Sequence, residues 1–388
     1  MKPQRARLKF VTRFGYGEAL PTDELQVGPV EVFGSNGAYA SFSRANTGSP
    51  VIVVGRKGSY GKVNWSDRPV FASDTTFVVD KTTTSHSLRW VYWLLQSLRL
   101  DEGSEEAAVP GLNREDAYER EVALFPPRTQ EAIAGFLDRE TADIDALIAA
   151  KQQLLDLMAE KRRAIVAEAV MRGLDASAPL RPSGIDWLGD IPAHWEVERS
   201  RWLFTERDER SQTGEEEMLT VSHLTGVTPR SEKDVNMFEA ESTTGYKLCF
   251  AGDLAINTLW AWMGAMGTAR VDGIVSPAYN VYTPGARLLP DYVDALVRIP
   301  VFAQEVTRYS KGVWSSRLRL YPEGFFETWW PVPPLDEQQQ IVEHISTETA
   351  KVDRLRTATE NSIALLKERR AALIAAAVTG QLEIPEAA

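Results

Sequence analysis

The densest set of residues that could contact a phosphate group lies in the segment GRKGSYGK (55–62). Its glycines allow an anion to approach the backbone closely, and its basic side chains supply the opposite charge. The residues expected to bind are Arg56, Lys57, Ser59, Tyr60 and Lys62. The segment is not a nucleotide-hydrolysing P-loop, because valine at position 63 replaces the Ser or Thr of that motif. We therefore expect a phosphate-binding loop, with an ordinary solvated loop as the alternative.

The turn GSNGAYA (34–40) offers side chains that could read the edge of a base. Asparagine can hydrogen-bond an adenine edge through two polar atoms, and small neighbours permit close approach. The candidate residues are Ser35, Asn36 and Tyr39. The alternative is a glycine turn that only reverses the chain.

The second half of the chain has similar segments after comparable strand-like runs. In NTLWAWMGAMG (257–267) the candidates are Asn257, Trp260 and Trp262, although tryptophans more often fill a core. In SKGVWSSRLRL (310–320) they are Lys311, Trp314, Ser315, Arg317 and Arg319. Their expected counterparts in the first half are Asn113 and Arg114, within AVPGLNREDAY (108–118). The basic residues predict a second nucleic-acid contact, with solvated surface as the alternative.

The residues that usually perform catalysis do not form a recognisable pattern. The four histidines show no metal-ligand spacing, and Cys249, the single cysteine, cannot build a zinc cluster. The sequence also lacks HExxH, GxSxG and the glycine-rich dinucleotide fingerprint. We therefore expect a binding protein with no catalytic residue, no metal and no cofactor of its own.

An internal repeat organises the chain. The segment ETADIDAL (140–147) returns as ETAKVDRL (348–355), at an offset of 208 residues. The same offset aligns Ile133 with Ile341 and Val170 with Val378. A chance match would not preserve apolar positions over such a distance, so we infer a duplication.

Each copy of the repeat predicts one long helix, the first over 129–171. Proline pairs at 126–127 and 333–334 mark the starts, and glycines at 173 and 380 mark the ends. A narrow apolar stripe on so long a helix needs a partner, so we expect an antiparallel coiled coil between the copies. Pairing between chains is the alternative. The stripe of the first copy follows a seven-residue step: Leu137, Ile144, Met158 and Ile165, with Leu147 and Leu154 at the companion position.

The expected fold class is α+β, with two mixed α/β domains separated by two long helices and related by a pseudo-twofold repeat. Short apolar runs between turn signals predict strands in both domains, with helices near 86–99 and 290–310. The expected boundaries are a first domain over 1–125, a helix over 126–174, a linker over 175–185, a second domain over 186–332, a helix over 333–382 and a tail over 383–388.

The charge of the chain is unevenly distributed. Its 388 residues carry a net charge of −11, which alone argues against a nucleic-acid partner. Residues 1–100, however, hold 13 Lys and Arg against 7 Asp and Glu, and residues 298–320 hold five against one. One basic region in each half suits two contacts with duplex phosphates. The single cysteine and the lack of a signal-like or long apolar segment favour a cytoplasmic protein without membrane contact.

Fragments along nearly the whole chain resemble the specificity subunit of Type I restriction-modification enzymes. The first half contributes GSNG (34–37), VVGRKGSYGKV (53–63), SDTTFVV (73–79) and AVPGLNREDAY (108–118). The second half contributes DWLGDIPAHWEV (186–197), GDLAINTLWAWMGAMG (252–267), GIVSPAYNVY (273–282) and PVPPLDEQQQIVEHI (331–345). One departure is FPPRTQEAI (125–133), which lacks the acidic-Gln pair usual in the family.

This resemblance implies a non-catalytic subunit that binds double-stranded DNA. Each target recognition domain would read one half of a bipartite site, and the helix pair would fix the gap. Two modification (methyltransferase) subunits, carrying the methyl donor, would dock on the helices, and restriction subunits would join them. Adenine methylation and cleavage would then belong to those partners. The alternative is a coiled-coil adaptor that joins proteins and never contacts DNA.

Overall fold

A computed structural model describes residues 3–21, 28–101, 111–232, 242–312 and 318–384. The chain divides into two compact units: Met1–Gln153 with Thr359–Ala388, and Leu154–Ala358. Each of the two long helices contributes one end to each unit. No described helix is long and apolar enough to cross a membrane.

The first unit contains short strands, two short helices and the first long helix. Its strands are β1 Gln4–Arg7, β2 Gly15–Tyr16, β3 Val30–Gly34, β4 Gly37–Phe42, β5 Val51–Gly55, β6 Val63–Ser66, β7 Phe71–Ala72, β8 Thr76–Val79 and β9 Glu121–Leu124. Its helices are α1 Leu88–Ser97, α2 Arg114–Glu119 and α3 Pro127–Arg172, the last shared with the second unit.

An antiparallel sheet of order β2-β8-β5-β6 forms the centre of the first unit. Strand β5 reads VIVVG and is buried along its whole length, which suits β-branched side chains in the interior of a sheet. Its Ile52 and Val54 share a core with Trp90 and Leu94 of α1. A β4-β3-β7 sheet and a β1-β9 ladder complete the unit.

The second unit has more strands and more helices. Its strands are β10 Leu180–Pro182, β11 Asp190–Pro192, β12 Glu196–Arg199, β13 Phe204–Arg207, β14 Leu219–Ser222, β15 Gly226–Pro229, β16 Lys247–Cys249, β17 Leu254–Ile256, β18 Met266–Thr268, β19 Gly273–Val275, β20 Asn280–Pro284 and β21 Trp329–Val332. Its helices are α4 Pro290–Val297, α5 Pro300–Tyr309, α6 Pro322–Phe325 and α7 Leu335–Thr379, the last shared with the first unit.

The central sheet of the second unit has the order β13-β20-β17-β18. If the four strands of each central sheet are numbered in chain order, both sheets have the spatial order first, fourth, second, third. A two-stranded ladder, β12-β21, precedes and follows this sheet in sequence, as β1-β9 does in the first unit. The core packs Trp330, Phe302 and Tyr292 against the sheet and the start of α7. The expected mixed α/β architecture is confirmed.

The two long helices begin and end close to the predicted residues. Helix α3 has 46 residues and α7 has 45. Each ends one residue before a glycine with positive φ, +73° at Gly173 and +76° at Gly380. Glycine adopts this left-handed conformation without a Cβ clash, so it terminates the helix.

The predicted companion row of the α3 stripe is wrong. Leu137 and Ile144 are buried, as expected, but Leu147 and Leu154 are 47% and 42% exposed. A helix that meets a single partner buries only a narrow strip, and the neighbouring row stays at the surface. Both long helices consequently present leucines to solvent.

Two other local predictions are corrected by the structure. The region 290–310 forms two helices, because Ile299 precedes Pro300 and takes an extended conformation. The predicted linker 175–185 contains β10, which pairs with β11. Arg181 in this segment also donates a hydrogen bond to the Trp195 carbonyl at 2.7 Å, so the segment is folded within the second unit.

Two fully buried glutamines at the same repeat position, Gln130 and Gln338, join each long helix to a shorter one. Gln130 accepts a hydrogen bond from the Ser87 N–H (3.0 Å) and donates one to the Phe125 carbonyl, just before α3 (2.7 Å). Gln338 accepts from the Leu289 N–H (2.8 Å) and donates to the Pro333 carbonyl (2.9 Å). Ser87 and Leu289 are the N-cap residues of α1 and α4, so the two connections are equivalent.

Candidate nucleic-acid interface

The basic loop 55–62 connects β5 to β6, and several of its backbone amides already have partners. The N–H groups of Gly55, Arg56 and Gly61 donate to the carbonyls of Lys62, Thr75 and Gly55, each at 2.8 Å. A buried amide in a closed loop is normally satisfied in this way. A phosphate at this loop would therefore be bound mainly by side chains.

The turn at 35–36 joins β3 to β4 and lies against the basic loop. A Cβ at Gly55 would come within 2.7 Å of the Ser35 carbonyl, so this approach requires glycine. The Lys62 ammonium donates a hydrogen bond to Asn36 Oδ1. Ser35 Oγ donates to the Thr75 carbonyl at 2.6 Å. Two segments that are separate in sequence thus form one surface.

A cavity of about 290 Å³ lies between the turn and the loop. Asn36, Tyr39, Lys57 and Ser59 line it, and Tyr60 is half-buried nearby. Tyr39 is 61% exposed, and the Lys57 ammonium has no hydrogen-bond or ion-pair partner among the described residues. An amide, a ring and an unpaired cation can bond a base edge, stack on a base and neutralise a phosphate, respectively.

Three of the predicted residues are held by protein groups. The Arg56 guanidinium donates two hydrogen bonds to the Asp74 carbonyl, at 2.7 and 3.2 Å. The Arg114 guanidinium pairs with the Glu115 carboxylate at 3.0 Å. Each guanidinium lies 5.3 Å from the centre of the Tyr16 ring. Asn113 caps α2 by accepting the Glu115 N–H at 3.0 Å. These contacts shape the edge of the surface, and a direct part of the three residues in DNA binding stays a prediction.

In the second unit, Asn257 follows β17 and is nearly buried. Its Nδ2 donates to the Tyr279 hydroxyl at 3.0 Å, while Oδ1 has no hydrogen-bond partner among the described residues. Burial raises the pKa of Tyr279, which keeps its phenol protonated. A buried polar atom without a partner costs about 1–3 kcal/mol. Oδ1 of Asn257 and Nε of Arg319 are two such atoms at this site among the described residues.

The two predicted tryptophans lie together on the loop after Asn257. Their rings stack at 6.4 Å between centroids with 15° between planes, and the Trp262 Nε1–H donates to the Leu259 carbonyl at 3.0 Å. Trp260 is 50% exposed. The alternative of core packing is therefore wrong for Trp260, which offers a stacking surface.

The segment around Lys311 and Arg319 lies beside this loop. The two residues exchange backbone hydrogen bonds of 2.9 Å, and the Arg319 guanidinium lies 5.3 Å from the centre of the Tyr321 ring. Three predicted contacts in this segment, Trp314, Ser315 and Arg317, lie outside the described residues. The described cations place positive charge next to the tryptophan loop.

The same backbone link assembles both sites. In the first unit the Leu112 N–H donates to the Arg56 carbonyl at 2.8 Å, and in the second the Leu320 N–H donates to the Thr258 carbonyl at 3.0 Å. Leu112 and Leu320 differ by 208 residues, the offset of the repeat. The chain after the central strand thus meets the chain before the last short helix in both units, and the correspondence of 108–118 with 310–320 stays a prediction.

Other reactive side chains in the described part of the chain are few. No cluster of His, Cys, Asp and Glu residues there could hold a metal ion. Cys249 is buried, and burial raises the pKa of its thiol to about 12, so it stays protonated and unreactive. The groups that the two sites do present suit binding.

Tyr16, Thr75 and Tyr279 belong to these sites but are missing from the sequence-based prediction. Tyr16 ends the short strand β2 and stands between two glycines, which is a local signal in the sequence. Thr75 and Tyr279 act through contacts with distant segments, so the sequence carries no local signal for them.

Comparison with known proteins supports the family resemblance. No family model matches the chain. The specificity subunit of the Type I restriction enzyme EcoBI from Escherichia coli is 21% identical over 360 residues, covering 85% of this chain and 73% of that protein. The similarity to specificity subunits that the sequence fragments predict is thereby confirmed.

Solved structures share the fold. A chain from a structural study of complex assembly and conformational transition of the type I R-M system matches with a TM-score of 0.67 and 15% identity, covering 98% of both chains. The HsdS subunit from Thermoanaerobacter tengcongensis matches with a TM-score of 0.51 and 14% identity, covering 98% of this chain and 97% of that one. At these identities the matches establish the fold.

Proposed function

We propose that this chain, which is similar in sequence and fold to specificity subunits of Type I restriction-modification systems, is the DNA-recognition subunit of such a complex. The observation that carries the proposal is the pair of equivalently assembled surface sites, one in each unit. Each site combines cations with an exposed aromatic ring and an amide side chain. Each would read one half of a bipartite site on double-stranded DNA.

Equivalent details in the two units support a duplicated recognition domain. The central sheets share one strand order, and Phe10 and Trp202, each ending a 3-10 turn, are similarly exposed. The preceding cations, Lys9 and Arg201, pair with Glu119 and Glu327, which are 208 residues apart. We propose that the predicted recognition domains, 1–125 and 186–332, are two copies of one duplicated domain.

The proposed division of labour follows the chemistry of the side chains. Lys57, Lys62 and Lys311 are point charges suited to phosphates, which set the position of the protein on the duplex. Asn36 carries an exposed amide suited to a base edge, whereas the Asn257 amide is buried and would have to become accessible before it could bind one. Tyr39 and Trp260 present rings that suit apolar or stacking contact.

The helices 126–174 and 333–382 would fix the separation of the two half-sites. Asp145 pairs with Arg370 at 2.9 Å in the first unit, and Arg162 pairs with Asp353 at 3.5 Å in the second. Residue numbers rise along α3 as they fall along α7, which is the order of an antiparallel pair. At 1.5 Å per residue a helix such as α3 is about 69 Å long, enough to act as a spacer.

Exposed leucines on the long helices suit the docking of partner subunits. Leu157 and Leu365, related by the repeat, are 60% and 64% exposed, and Leu147 and Leu355 form a second such pair. Exposed apolar residues in a row mark interaction surfaces. We propose that two modification subunits, which bring the methyl donor and the catalytic groups, dock there, and that restriction subunits join them.

Selection from a random duplex library, with the modification subunit present, tests the DNA-recognition proposal. The expected result is enrichment of two short half-sites at one fixed gap. Enrichment of one contiguous site would contradict the two-reader arrangement. Loss of all enrichment, with partner binding intact, would favour the adaptor function instead.

Charged substitutions at the leucines should remove one docking site at a time. Leu157→Glu with Leu355→Glu, both in the second unit, should lower the number of bound modification subunits from two to one, because a buried carboxylate is costly at an apolar contact. Native mass spectrometry gives the stoichiometry. The matched control, Ala159→Glu with Ala350→Glu at exposed helix positions of the same unit, should keep both subunits; equal losses in the two variants would refute docking at the leucines.

A further inference from the structure

A cavity of about 430 Å³ opens in the second unit where α3, α7 and α4 meet. Its lining includes Arg162 and Arg163 of α3, Arg270 after β18, and Arg298 after α4. Apolar side chains of the helices, including Val166 and Ile345, also line it. The DNA-facing residues proposed above do not line it.

The first unit shows what normally fills this position. Because Ser87 and Leu289 make the same N-cap contact with the two buried glutamines, α1 and α4 can be aligned residue by residue. Six residues after the cap, Trp93 of α1 aligns with Ala295 of α4. The loss of an indole ring at this position leaves space in the second unit that the first unit does not have.

The charges at this position are paired in the first unit. The Trp93 Nε1–H and the Arg89 guanidinium both donate to Asp138 at 2.8 Å. Arg370 makes two hydrogen bonds to Asp145, at 2.9 and 3.1 Å, and one to Gln96 at 3.4 Å. Each cation here has a carboxylate within the unit.

At the aligned positions the second unit loses one carboxylate and gains two arginines, while Asp291 and Asp294 stand in place of Arg89 and Tyr92. Asp138 becomes Ser346, Ala371 becomes Arg163, and Gln96 becomes Arg298. Arg163 and Arg270 have no hydrogen-bond or ion-pair partner among the described residues.

The acids of the cavity do not balance this charge. Asp294 accepts the Thr268 N–H at 3.0 Å and lies 3.7 Å from Arg298, while Asp291 stands at the exposed rim in place of Arg89. Arg162 lies 3.5 Å from Asp353. Four arginines and two aspartates therefore line the cavity and leave its lining positively charged, although Arg298 also donates a hydrogen bond to the Leu224 carbonyl at 2.8 Å.

We propose that this cavity is an anion site for a phosphate-bearing ligand. A guanidinium group can bind two phosphate oxygens at once, and a concave site of this size with some apolar lining accommodates a small organic phosphate. The phosphate could belong to a free ligand or to a DNA backbone, and the two sources are separable by experiment. The proposal does not depend on which sequence the chain reads.

The test uses the full-length chain and two probes. Binding of inorganic pyrophosphate is measured by calorimetric titration. Binding of a labelled duplex that lacks the recognition site is measured by fluorescence anisotropy. Arg163→Ala with Arg270→Ala should weaken pyrophosphate binding about a hundredfold, roughly tenfold per arginine. Ala295→Trp, which restores the ring of the first unit without removing charge, should abolish it. The control, Arg139→Ala with Arg369→Ala at exposed helix positions, should have no effect.

The two titrations separate the sources of the phosphate. Pyrophosphate binding that both cavity variants lose, with duplex affinity unchanged, assigns the cavity to a free ligand. A fall of tenfold or more in duplex affinity in both cavity variants, without pyrophosphate binding, assigns it to a backbone phosphate. Unchanged binding of both probes in cavity variants that melt like the parent chain would overturn the proposal. The library selection above is independent of this outcome.

Discussion

Replacing Lys57 and Lys62 with alanine should weaken binding to the full DNA site about a hundredfold while changing recognition of the first half-site alone. Each lysine is expected to neutralise one phosphate, and each contact contributes roughly tenfold in affinity and about one unit of salt slope. Lys62 also holds Asn36 by a hydrogen bond, so the base preference of the first half-site should relax. Titrations at several salt concentrations, with single-base variants of each half-site, measure both effects.

The second unit provides the reciprocal experiment. Lys311→Ala with Arg319→Ala should relax the second half-site and leave the first as selective as before. The matched control for the Lys57→Ala, Lys62→Ala variant is Lys81→Ala with Arg68→Ala, which removes two exposed cations of the first unit outside the loop 55–62. This control should change the affinity for DNA little. A uniform loss of selectivity at both half-sites in either loop variant would contradict the two-reader account.

Lengthening both long helices by four residues should increase the preferred gap between the two half-sites by one or two base pairs. Four residues add about 6 Å of helix and turn it by about 40° beyond a full turn, and one to two base pairs of DNA add a comparable length and rotation. A four-residue insertion also unwinds a heptad stripe only locally. Insertions after Gln153 in α3 and after Ala358 in α7 keep the packed ends of each unit intact. Library selection gives the new gap.

The control for this insertion is four extra residues between Ala176 and Ser177, in an exposed segment outside the helices. That chain should keep the original gap. An unchanged gap after lengthening both helices, in a protein that still binds DNA, would remove the spacer role of the helices.

The repeat and the long helices could be predicted because their signals are local or periodic. The proline pairs and the terminal glycines act within a few residues of where they stand, and the repeat is visible as one constant offset of 208 residues. The exposure of Leu147 and Leu154 could not be read from the same pattern, because a seven-residue step does not reveal how many partners a helix has. Pro300 marks the break between α4 and α5, because the residue before a proline disfavours the helical conformation.

The sequence indicates the segments of the candidate sites, but it does not show which of their side chains have partners within the protein. The turn at 34–37 and the loop at 55–62 do form one surface. The same residue types, however, serve structure elsewhere: Asn113 caps a helix, and the Arg56 guanidinium bonds a carbonyl of its own chain. Whether a polar group has a partner within the protein depends on tertiary contacts, and composition cannot show it.

Genome-wide mapping of adenine methylation, in cells with the modification subunit and with or without this chain, tests the central claim most directly. The account predicts that methylation depends on this chain and occurs within one motif of two half-sites at a constant gap. It further predicts that, with the Lys57→Ala, Lys62→Ala variant, the base preference relaxes in only one of the two half-sites. Methylation at a single contiguous motif, or a pattern unchanged when the chain is removed, would contradict it.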